Sequence, residues 1–322
     1  MKRIVWLAVL AAFFLAASAS AANDKYIFIL KAIGNPYWQA LKQGVEETGK
    51  KAGIDPILMY PVSDLAKEDD LNLCQAAITQ KPRVIVMGPE TTAIGIECFK
   101  QATAQGILVA DMDATIPIEL AKKSGVDLSY NLGADNTLIG QRVAEFVAAQ
   151  FKGKKDNPKI LVIEGAVGSP PGQDRPAGFQ HRLRELLPNA EIVNSISAEW
   201  DRLRAMNIAA DTLTRTPGLD AIFAANDVMA LGAVEAVRAA GKKGQVMVIG
   251  VDGIPDARKA IAEGSMTASI TQLPYFIGKR AVELAMDAAH GAPPGRKEVA
   301  PLLILTKDIL AANKDPLLQY VR

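Results

Sequence analysis

The chain has 322 residues, with 36 basic and 35 acidic side chains and therefore a net charge of +1. No block of basic residues is present that could follow a phosphate backbone, so nucleic-acid binding is not expected. The two histidines, His181 and His290, are isolated and lack metal-ligand spacing. The composition therefore predicts neither a nucleic-acid partner nor a metal or other cofactor.

Residues 1–21 have the pattern of a secretory signal. Lys2 and Arg3 form a positive n-region, and the apolar stretch 4–17 is short and rich in small residues, which disfavours a spanning helix. Ala19-Ser20-Ala21 supplies a small-x-small cleavage site. Removing the signal leaves 34 basic and 35 acidic residues. The mature protein is therefore expected to be an exported, soluble protein, localised to the periplasm.

Strands alternate with amphipathic helices along the rest of the chain, in two series. The first series comprises strand 25–30, helix 36–52, strand 54–59, helix 64–80, strand 84–87, helix 92–105 and strand 107–110. The second comprises strand 160–164, helix 177–187, strand 191–196, helix 205–214, strand 221–225, a helix from Asp227 to Gly241 and strand 246–251. This alternation predicts an α/β fold with parallel sheets. Because about 300 residues exceed one ordinary α/β layer, we expect two Rossmann-like lobes.

Two polar side chains follow neighbouring strands in the second series. Asn226 follows strand 221–225, and Asp252 follows strand 246–251. In open α/β sheets the carboxyl ends of the strands form the edge where ligands bind. An alternative is that Asn226 and Asp227 only cap the intervening helix, with Asp227 well placed to do so, and that Asp252 is a turn residue.

Further polar and aromatic residues follow other predicted strands or open predicted helices. They are Lys31, Asn35, Tyr37, Trp38, Glu90, Asp111, Asp113, Arg175, Trp200, Asp201 and Gln272. Asn35 also fits as a helix cap, with Pro36 at the favoured first helical position. Aromatic faces stack on the C–H faces of sugars, while amide, ammonium and carboxylate groups bind hydroxyls. A sheet edge that carries all of these groups favours a polyhydroxylated ligand.

The sequence gives little indication of catalysis. Ser169 lies in VGSPPG, which lacks the G-x-S-x-G elbow of hydrolases. No phosphate-binding G-x-x-x-x-G-K-[ST] loop and no G-x-G-x-x-G motif after the first strand are present. Asp111 and Asp113 could act as an acid/base pair, but paired carboxylates that hold hydroxyl groups fit this pattern better. We therefore expect a binding protein and not an enzyme.

Cys74 and Cys98 are the only cysteines, and they lie on the second and third predicted helices. In a doubly wound topology these helices cover the same face of the sheet. In an exported protein the pair can form a disulfide, or the two can remain small buried apolar residues.

The segments KAIGNPYW, DMDA, QDRPAGF, EWDRLRAMNIA, FAANDVMALGAVEAVRAAG, VIGVDGIPDARKAI and ITQLP resemble, in order, those of the type I periplasmic sugar-binding proteins. The ribose- and D-allose-binding members are the nearest likenesses. The resemblance implies two lobes joined by three crossover segments, residues 22–127 with 272–303 and residues 128–271 with 304–322. It also implies that the lobes close on one monosaccharide and that the protein, as a monomer, delivers it to an ABC transporter permease.

The resemblance assigns ligand contacts to individual positions. They are Lys31, Asn35, Tyr37, Trp38 and Asp113 in the first lobe and Arg175, Trp200, Asn226, Asp252 and Gln272 in the second. Two departures bear on which sugar is bound. Ala114 stands where related proteins have a charged residue, which is expected to leave space, and Pro170-Pro171 is expected to alter the loop before Arg175.

Two other functions remain open at this point. The same fold serves receptors that present a sugar or polyol to a chemotaxis or sensor protein. A periplasmic nucleoside or sugar hydrolase is the alternative from the enzyme class. A transcriptional regulator of the LacI type shares the two lobes but needs a DNA-binding headpiece. The first predicted strand begins within a few residues of the cleavage site, which argues against that reading.

Overall fold

The computed structural model describes residues 25–62 and 67–322. The predicted signal, residues 1–21, lies outside the described residues. The strands are β1 Tyr26–Ile29, β2 Ile57–Met59, β3 Val84–Met87, β4 Leu108–Met112, β5 Tyr130–Gly133, β6 Lys159–Glu164, β7 Glu191–Ser197, β8 Ala221–Ala224, β9 Met247–Val251, β10 Ala268–Thr271, β11 Arg296–Val299 and β12 Leu303–Leu305. The helices are α1 Pro36–Ala52, α2 Lys67–Thr79, α3 Thr92–Thr103, α4 Ile118–Lys123, α5 Asn136–Phe151, α6 Pro170–Leu186, α7 Arg202–Arg215, α8 Asp227–Ala239, α9 Pro255–Ala262, α10 Pro274–Ala289 and α11 Lys307–Ala312, followed by a 3₁₀ turn at Pro316–Tyr320.

The strands form two six-stranded sheets. Their orders are β11-β5-β4-β3-β1-β2 and β12-β10-β9-β8-β6-β7. Every pairing is parallel except that of β12 with β10, which is antiparallel. In each sheet the chain starts near one edge and winds outward in both directions. The prediction of an α/β fold with two parallel-dominated sheets is confirmed.

The central strands read as short apolar runs because helices cover both faces of each sheet. β3 (VIVM) and β8 (AIFA) are buried at all four positions. The helices begin at the polar residues that the sequence places there. Asn35 caps α1 by accepting a hydrogen bond from the Tyr37 backbone N–H at 3.0 Å, and Pro36 occupies the first helical position. This capping places the start of α1 at the carboxyl edge of the first sheet.

The chain passes between the two sheets three times, after β5, after β10 and after β11. The first of these crossings lies later in the chain than the predicted lobe boundary. β5 pairs with β4 in the first sheet, so the chain leaves that sheet after Gly133 and not after residue 127. Leu303, assigned to the first lobe, belongs to β12 of the second sheet. The sequence analysis predicted neither β5 nor α5. β5 is not a recognisable apolar run because polar Asn131 interrupts it.

The start of α6 also differs from the prediction. The helix begins at Pro170, whereas the sequence predicts a loop there and a helix only from residue 177. Pro170 and Pro171 lie in the first turn, where a missing backbone N–H costs no intrahelical hydrogen bond. Arg175 is therefore in the second turn of a helix rather than at its opening.

Cys74 of α2 and Cys98 of α3 form a disulfide, with their Cα atoms 5.8 Å apart. Both residues are fully buried in the apolar cluster that covers one face of the first sheet. None of the helices in the described ranges combines the length and apolar character that a membrane span requires.

Candidate functional site

A cavity lies where the carboxyl ends of the two sheets face each other. All ten residues that the resemblance assigns as ligand contacts line it, together with Pro171. The lining residues are Lys31, Asn35, Tyr37, Trp38, Asp113, Pro171, Arg175, Trp200, Asn226, Asp252 and Gln272. They come from widely separated parts of the chain, and the fold alone brings them together.

Of the residues predicted at this edge of the sheets, Glu90, Asp111 and Asp201 do not line the cavity. The Glu90 carboxylate lies 3.7 Å from the Lys31 ammonium group, and both side chains are buried. Lys31 in turn lies 5.7 Å from the centre of the Trp38 ring. Glu90 therefore lies behind the cavity wall. Its carboxylate is close to the ammonium group of Lys31, which does line the cavity.

The first sheet contributes an aspartate held by a tyrosine. The hydroxyl of Tyr37, in the first turn of α1, donates a hydrogen bond to Asp113, which directly follows β4. Burial, followed by the negative charge of Asp113, raises the pKa of Tyr37 well above its usual value. Tyr37 therefore stays a hydroxyl donor at neutral pH.

The second sheet contributes an arginine that is fixed before any ligand arrives. Arg175 donates from Nε to the side-chain oxygen of Asn136 at 2.9 Å and from Nη1 to the Ala225 carbonyl at 2.7 Å. Nη1 also lies 3.8 Å from Asp252. Gln272 donates to the same Asp252 carboxylate at 3.1 Å. These bonds set the orientation of one cationic and one anionic group in the wall.

Asn226 and Asp227 are adjacent, but only Asn226 caps the helix that follows them. Asn226 caps α8 by accepting from the Met229 backbone N–H at 2.9 Å, which leaves its NH₂ group for the cavity. The prediction that Asp227 caps this helix is wrong. Asp227 is the first helical residue, and its carboxylate accepts instead from the backbone N–H groups of Gly253 and Ile254.

Each sheet presents one tryptophan, and each ring lies against a glycine at a strand end. A Cβ atom added to Gly88, just after β3, would lie 2.8 Å from Cη2 of Trp38. One added to Gly165, just after β6, would lie 2.0 Å from Cη2 of Trp200. Glycine is needed at both positions because no larger residue leaves room for the ring. The two indoles thus reach the cavity from opposite lobes.

Several wall residues have backbone angles that side-chain-bearing residues rarely adopt. The φ angles are +70° for Asp113, +63° for Trp200 and +120° for Asp252. Non-glycine residues with positive φ cost free energy and persist where the surrounding structure enforces them, commonly at ligand sites. Both acidic wall residues are thus held in unfavourable backbone conformations.

The electrostatic character of the wall is mixed. Burial raises the pKa of Asp252 from 3.8 to about 7, although the nearby Arg175 guanidinium lowers it. Burial also raises the pKa of Asp111 and of Asp227, neither of which lines the cavity. The cavity offers carboxylate acceptors, ammonium and guanidinium donors, and amides that can do both.

Neither a metal-binding cluster nor an activated serine accompanies these residues in the part of the chain that the structure describes. Within the described ranges, no cluster of His, Cys, Asp and Glu could hold a metal ion. Ser169 is fully buried, and its hydroxyl has no hydrogen-bond partner among the described residues. The arrangement is suited to binding hydroxyl groups and apolar ring faces.

Two site residues were missed, and the expectation for Ala114 was also wrong. Pro171 lines the cavity, and Asn136 orients Arg175; both follow from the unpredicted helix turns at α5 and α6. Ala114 is fully buried in the apolar cluster of the first lobe and does not line the cavity. The space expected beside Ala114 is therefore absent, because its side chain points into the core.

Comparison with known proteins identifies relatives over nearly the whole chain. The family model described as "Periplasmic binding protein domain" matches residues 26–293. The chain is 31% identical to the D-allose-binding periplasmic protein of Escherichia coli over 93% of its length and 95% of that protein. It is 30% identical to the ribose import binding protein of the same species, over 95% of this chain and 99% of that one.

A solved structure agrees with these relatives. An ABC transporter periplasmic solute binding protein from Actinobacillus succinogenes, with bound D-allose, superposes with a TM-score of 0.81 at 31% identity. The match covers 88% of this chain and 98% of that one. With its two doubly wound sheets, its cavity between them and these relatives, the chain belongs to the periplasmic binding protein family.

Proposed function

We propose that the protein binds one neutral monosaccharide in the cavity between its two sheets and delivers it to the permease of an ABC importer. The observation that carries this proposal is the cavity wall, in which carboxylates, amides and cationic donors accompany one tryptophan from each lobe. The relatives described as binding D-allose and importing ribose support the same class of ligand.

The charges in the wall favour a neutral ligand. An amino acid calls for one anionic and one cationic clamp aimed at its two termini, whereas here Arg175 already faces Asp252. A phosphorylated sugar is disfavoured because the carboxylate of Asp113 opposes additional negative charge. Sugar hydroxyls both donate and accept, so they suit carboxylates, amides and the guanidinium group equally.

The two tryptophans of the wall favour a single sugar ring as the ligand. Trp38 and Trp200 line the cavity from opposite lobes, and their ring faces can cover the apolar C–H faces of a pyranose or furanose.

A thermal-shift panel tests the ligand class. Free pentoses, hexoses and polyols, with D-allose and D-ribose among them, are compared with amino acids, nucleosides and sugar phosphates. A ligand at a hundred times its dissociation constant stabilises the folded state by about 2.7 kcal/mol, which gives a clear rise in melting temperature. The proposal requires such a rise with at least one sugar or polyol. A rise with amino acids or nucleosides alone would refute it. Nucleosides and glycosides should also remain intact after incubation, since no catalysis is proposed.

Binding between two lobes implies closure around the sugar. Contacts to both lobes shift an open–closed equilibrium toward the closed form when ligand is present. Small-angle scattering should therefore show a smaller radius of gyration at saturating sugar. An unchanged radius would contradict the hinge part of the proposal while leaving the site itself intact.

Export completes the proposed function. Residues 1–21 have the pattern of a secretory signal, and two of the relatives named above are described as periplasmic. Fractionation of cells that express the full chain should place the protein in the periplasm, shortened by about 21 residues on intact-mass measurement.

A further inference from the structure

Two fully buried aspartates lie behind the cavity and take no part in lining it. They are Asp111 at the end of β4 and Asp227 at the start of α8, and neither has measurable solvent exposure. Placing a carboxylate in a protein interior is costly unless hydrogen bonds compensate it. The partners of these two carboxylates therefore indicate what they do.

Asp227 is bonded to the loop that presents Asp252. Its Oδ2 accepts from the backbone N–H groups of Gly253 at 2.7 Å and Ile254 at 3.0 Å. Ser269, on the neighbouring strand β10, donates its hydroxyl to the same carboxylate at 2.8 Å. These are the two N–H groups that immediately follow Asp252, whose φ is +120°. The carboxylate thus holds the turn in the conformation that directs Asp252 into the cavity.

Asp111 has the same relationship to the loop that presents Asp113. Its Oδ2 accepts from the backbone N–H of Ile116 at 2.7 Å and from the side-chain amide of Asn131, on neighbouring strand β5, at 2.6 Å. The loop between them holds two residues of positive φ, Asp113 at +70° and Thr115 at +55°. Asn131 also donates to the Ile116 carbonyl at 2.8 Å, which closes the loop from its other side.

We propose that Asp111 and Asp227 are positioning residues that hold the cavity-lining aspartates, Asp113 and Asp252, in their strained loops. Each lobe carries one such pair of a buried aspartate and a lining aspartate. The buried carboxyl group accepts hydrogen bonds from backbone N–H groups of the loop, which offset the unfavourable φ of the lining residue. The role in sugar binding rests on the proposed function, whereas the loop conformation does not.

The first test needs no ligand. Hydrogen exchange is measured by mass spectrometry on wild type, Asp227→Ala and Asp111→Ala. Asp227→Ala should speed exchange in residues 249–256 and leave residues 111–117 unchanged, and Asp111→Ala should do the reverse. Unchanged exchange in the corresponding loop would overturn the proposal for that residue. If an alanine variant fails to fold, Asp227→Asn or Asp111→Asn replaces it, with a smaller acceleration because a neutral oxygen remains as acceptor.

The second test asks whether each residue acts through its partner. Affinity for D-allose or D-ribose, whichever binds the wild type, should fall at least about tenfold in Asp227→Ala. This loss should largely disappear when Asp227→Ala is made in an Asp252→Ala background, and persist in full in an Asp113→Ala background. Asp111→Ala should show the opposite pattern. A purely structural role predicts equal losses in both backgrounds, and that result would overturn the proposal.

Asp220 provides a matched control. Its carboxylate also accepts a backbone hydrogen bond, from Lys159 at 2.8 Å, but at the opposite edge of the second sheet. Asp220→Ala should lower the melting temperature without changing sugar affinity or exchange in either loop. If no sugar binds the wild type, the proposed function fails, and the exchange measurement alone still decides the positioning role.

Discussion

The guanidinium group of Arg175 lies 3.8 Å from the carboxylate of Asp252, and both side chains are almost fully buried. The distance is long for an ion pair, while Arg175 makes shorter bonds to Asn136 and to the Ala225 carbonyl. Arg175 is therefore fixed by neutral partners and keeps donor capacity toward the cavity. Asp252, held by Gln272, keeps acceptor capacity beside it. This donor–acceptor pair matches adjacent hydroxyls of a sugar ring.

Replacing Tyr37 by phenylalanine should weaken sugar binding about tenfold, because the hydroxyl that orients Asp113 is lost while the ring stays. Isothermal titration calorimetry measures the change. Tyr275→Phe is the control, since the Tyr275 hydroxyl donates at 2.6 Å to Glu47, away from the cavity. Equal affinities for Tyr37→Phe and wild type would show that Asp113 needs no such orientation.

Gly165→Ala should displace the Trp200 ring, because the added Cβ would lie 2.0 Å from Cη2. The expected loss of affinity is several-fold to about tenfold, in keeping with the loss of aromatic packing. Gly218→Ala, where no described atom lies within 4 Å of the added Cβ, is the control. Tryptophan fluorescence should change in Gly165→Ala only. An unperturbed spectrum with unchanged affinity would contradict a role for Trp200 in the wall.

The pH dependence of stability should change when Asp252 is replaced by asparagine. The folded protein retains the proton of Asp252 up to about pH 7, whereas the unfolded chain releases it near 3.8. Between these values the folded state binds more protons, so this residue's contribution to the free energy of unfolding falls as pH rises. The free energy of unfolding of Asp252→Asn, relative to wild type, should therefore increase from pH 4 to pH 7. Urea unfolding at several pH values checks this. Parallel curves would mean that Asp252 ionises normally in the folded protein.

Reduction of the Cys74–Cys98 disulfide should lower the free energy of unfolding by roughly 3 kcal/mol in the chain-entropy model, given the sequence separation of 24 residues. Protein isolated from an oxidising compartment should show no thiol on labelling after denaturation. The Cys74→Ala/Cys98→Ala variant should resemble the reduced wild type and should no longer respond to reductant. Two labelled thiols in the native protein would contradict the bond.

Much of the fold follows from local sequence patterns. The boundaries of α1 and β3 are as predicted, because Asn35-Pro36 is a strong helix start and VIVM is an uninterrupted apolar run. β5 was not predicted because Asn131 stands in its middle. Its buried amide donates to Asp111, 20 residues earlier, and to the Ile116 carbonyl. A local sequence pattern does not reveal a hydrogen-bond partner so far away in the chain.

The candidate site, like the fold, was predictable only in part. Asn226, Asp252 and Gln272 were predictable because they follow parallel strands that end at one edge, and all three line the cavity. Glu90 follows β3 in the same way, yet its side chain lies behind the wall with Lys31. The direction of a side chain after a strand depends on the local φ angle, as at Asp113 and Asp252, and sequence does not set that angle. Asp227, a plausible helix cap by sequence, is instead bonded to a loop 26 residues later.

The central claim is that this cavity binds a neutral sugar through groups from both lobes. The most direct measurement is calorimetric titration of D-allose, D-ribose and other free hexoses into wild type, Arg175→Ala and the control Arg182→Ala. Arg182 lies on the same helix but forms its ion pairs on the surface. Wild type and Arg182→Ala should bind one sugar per chain with equal affinity, and Arg175→Ala should bind it about ten- to a hundredfold more weakly. Absence of heat with every sugar, or equal affinity in Arg175→Ala, would contradict the claim.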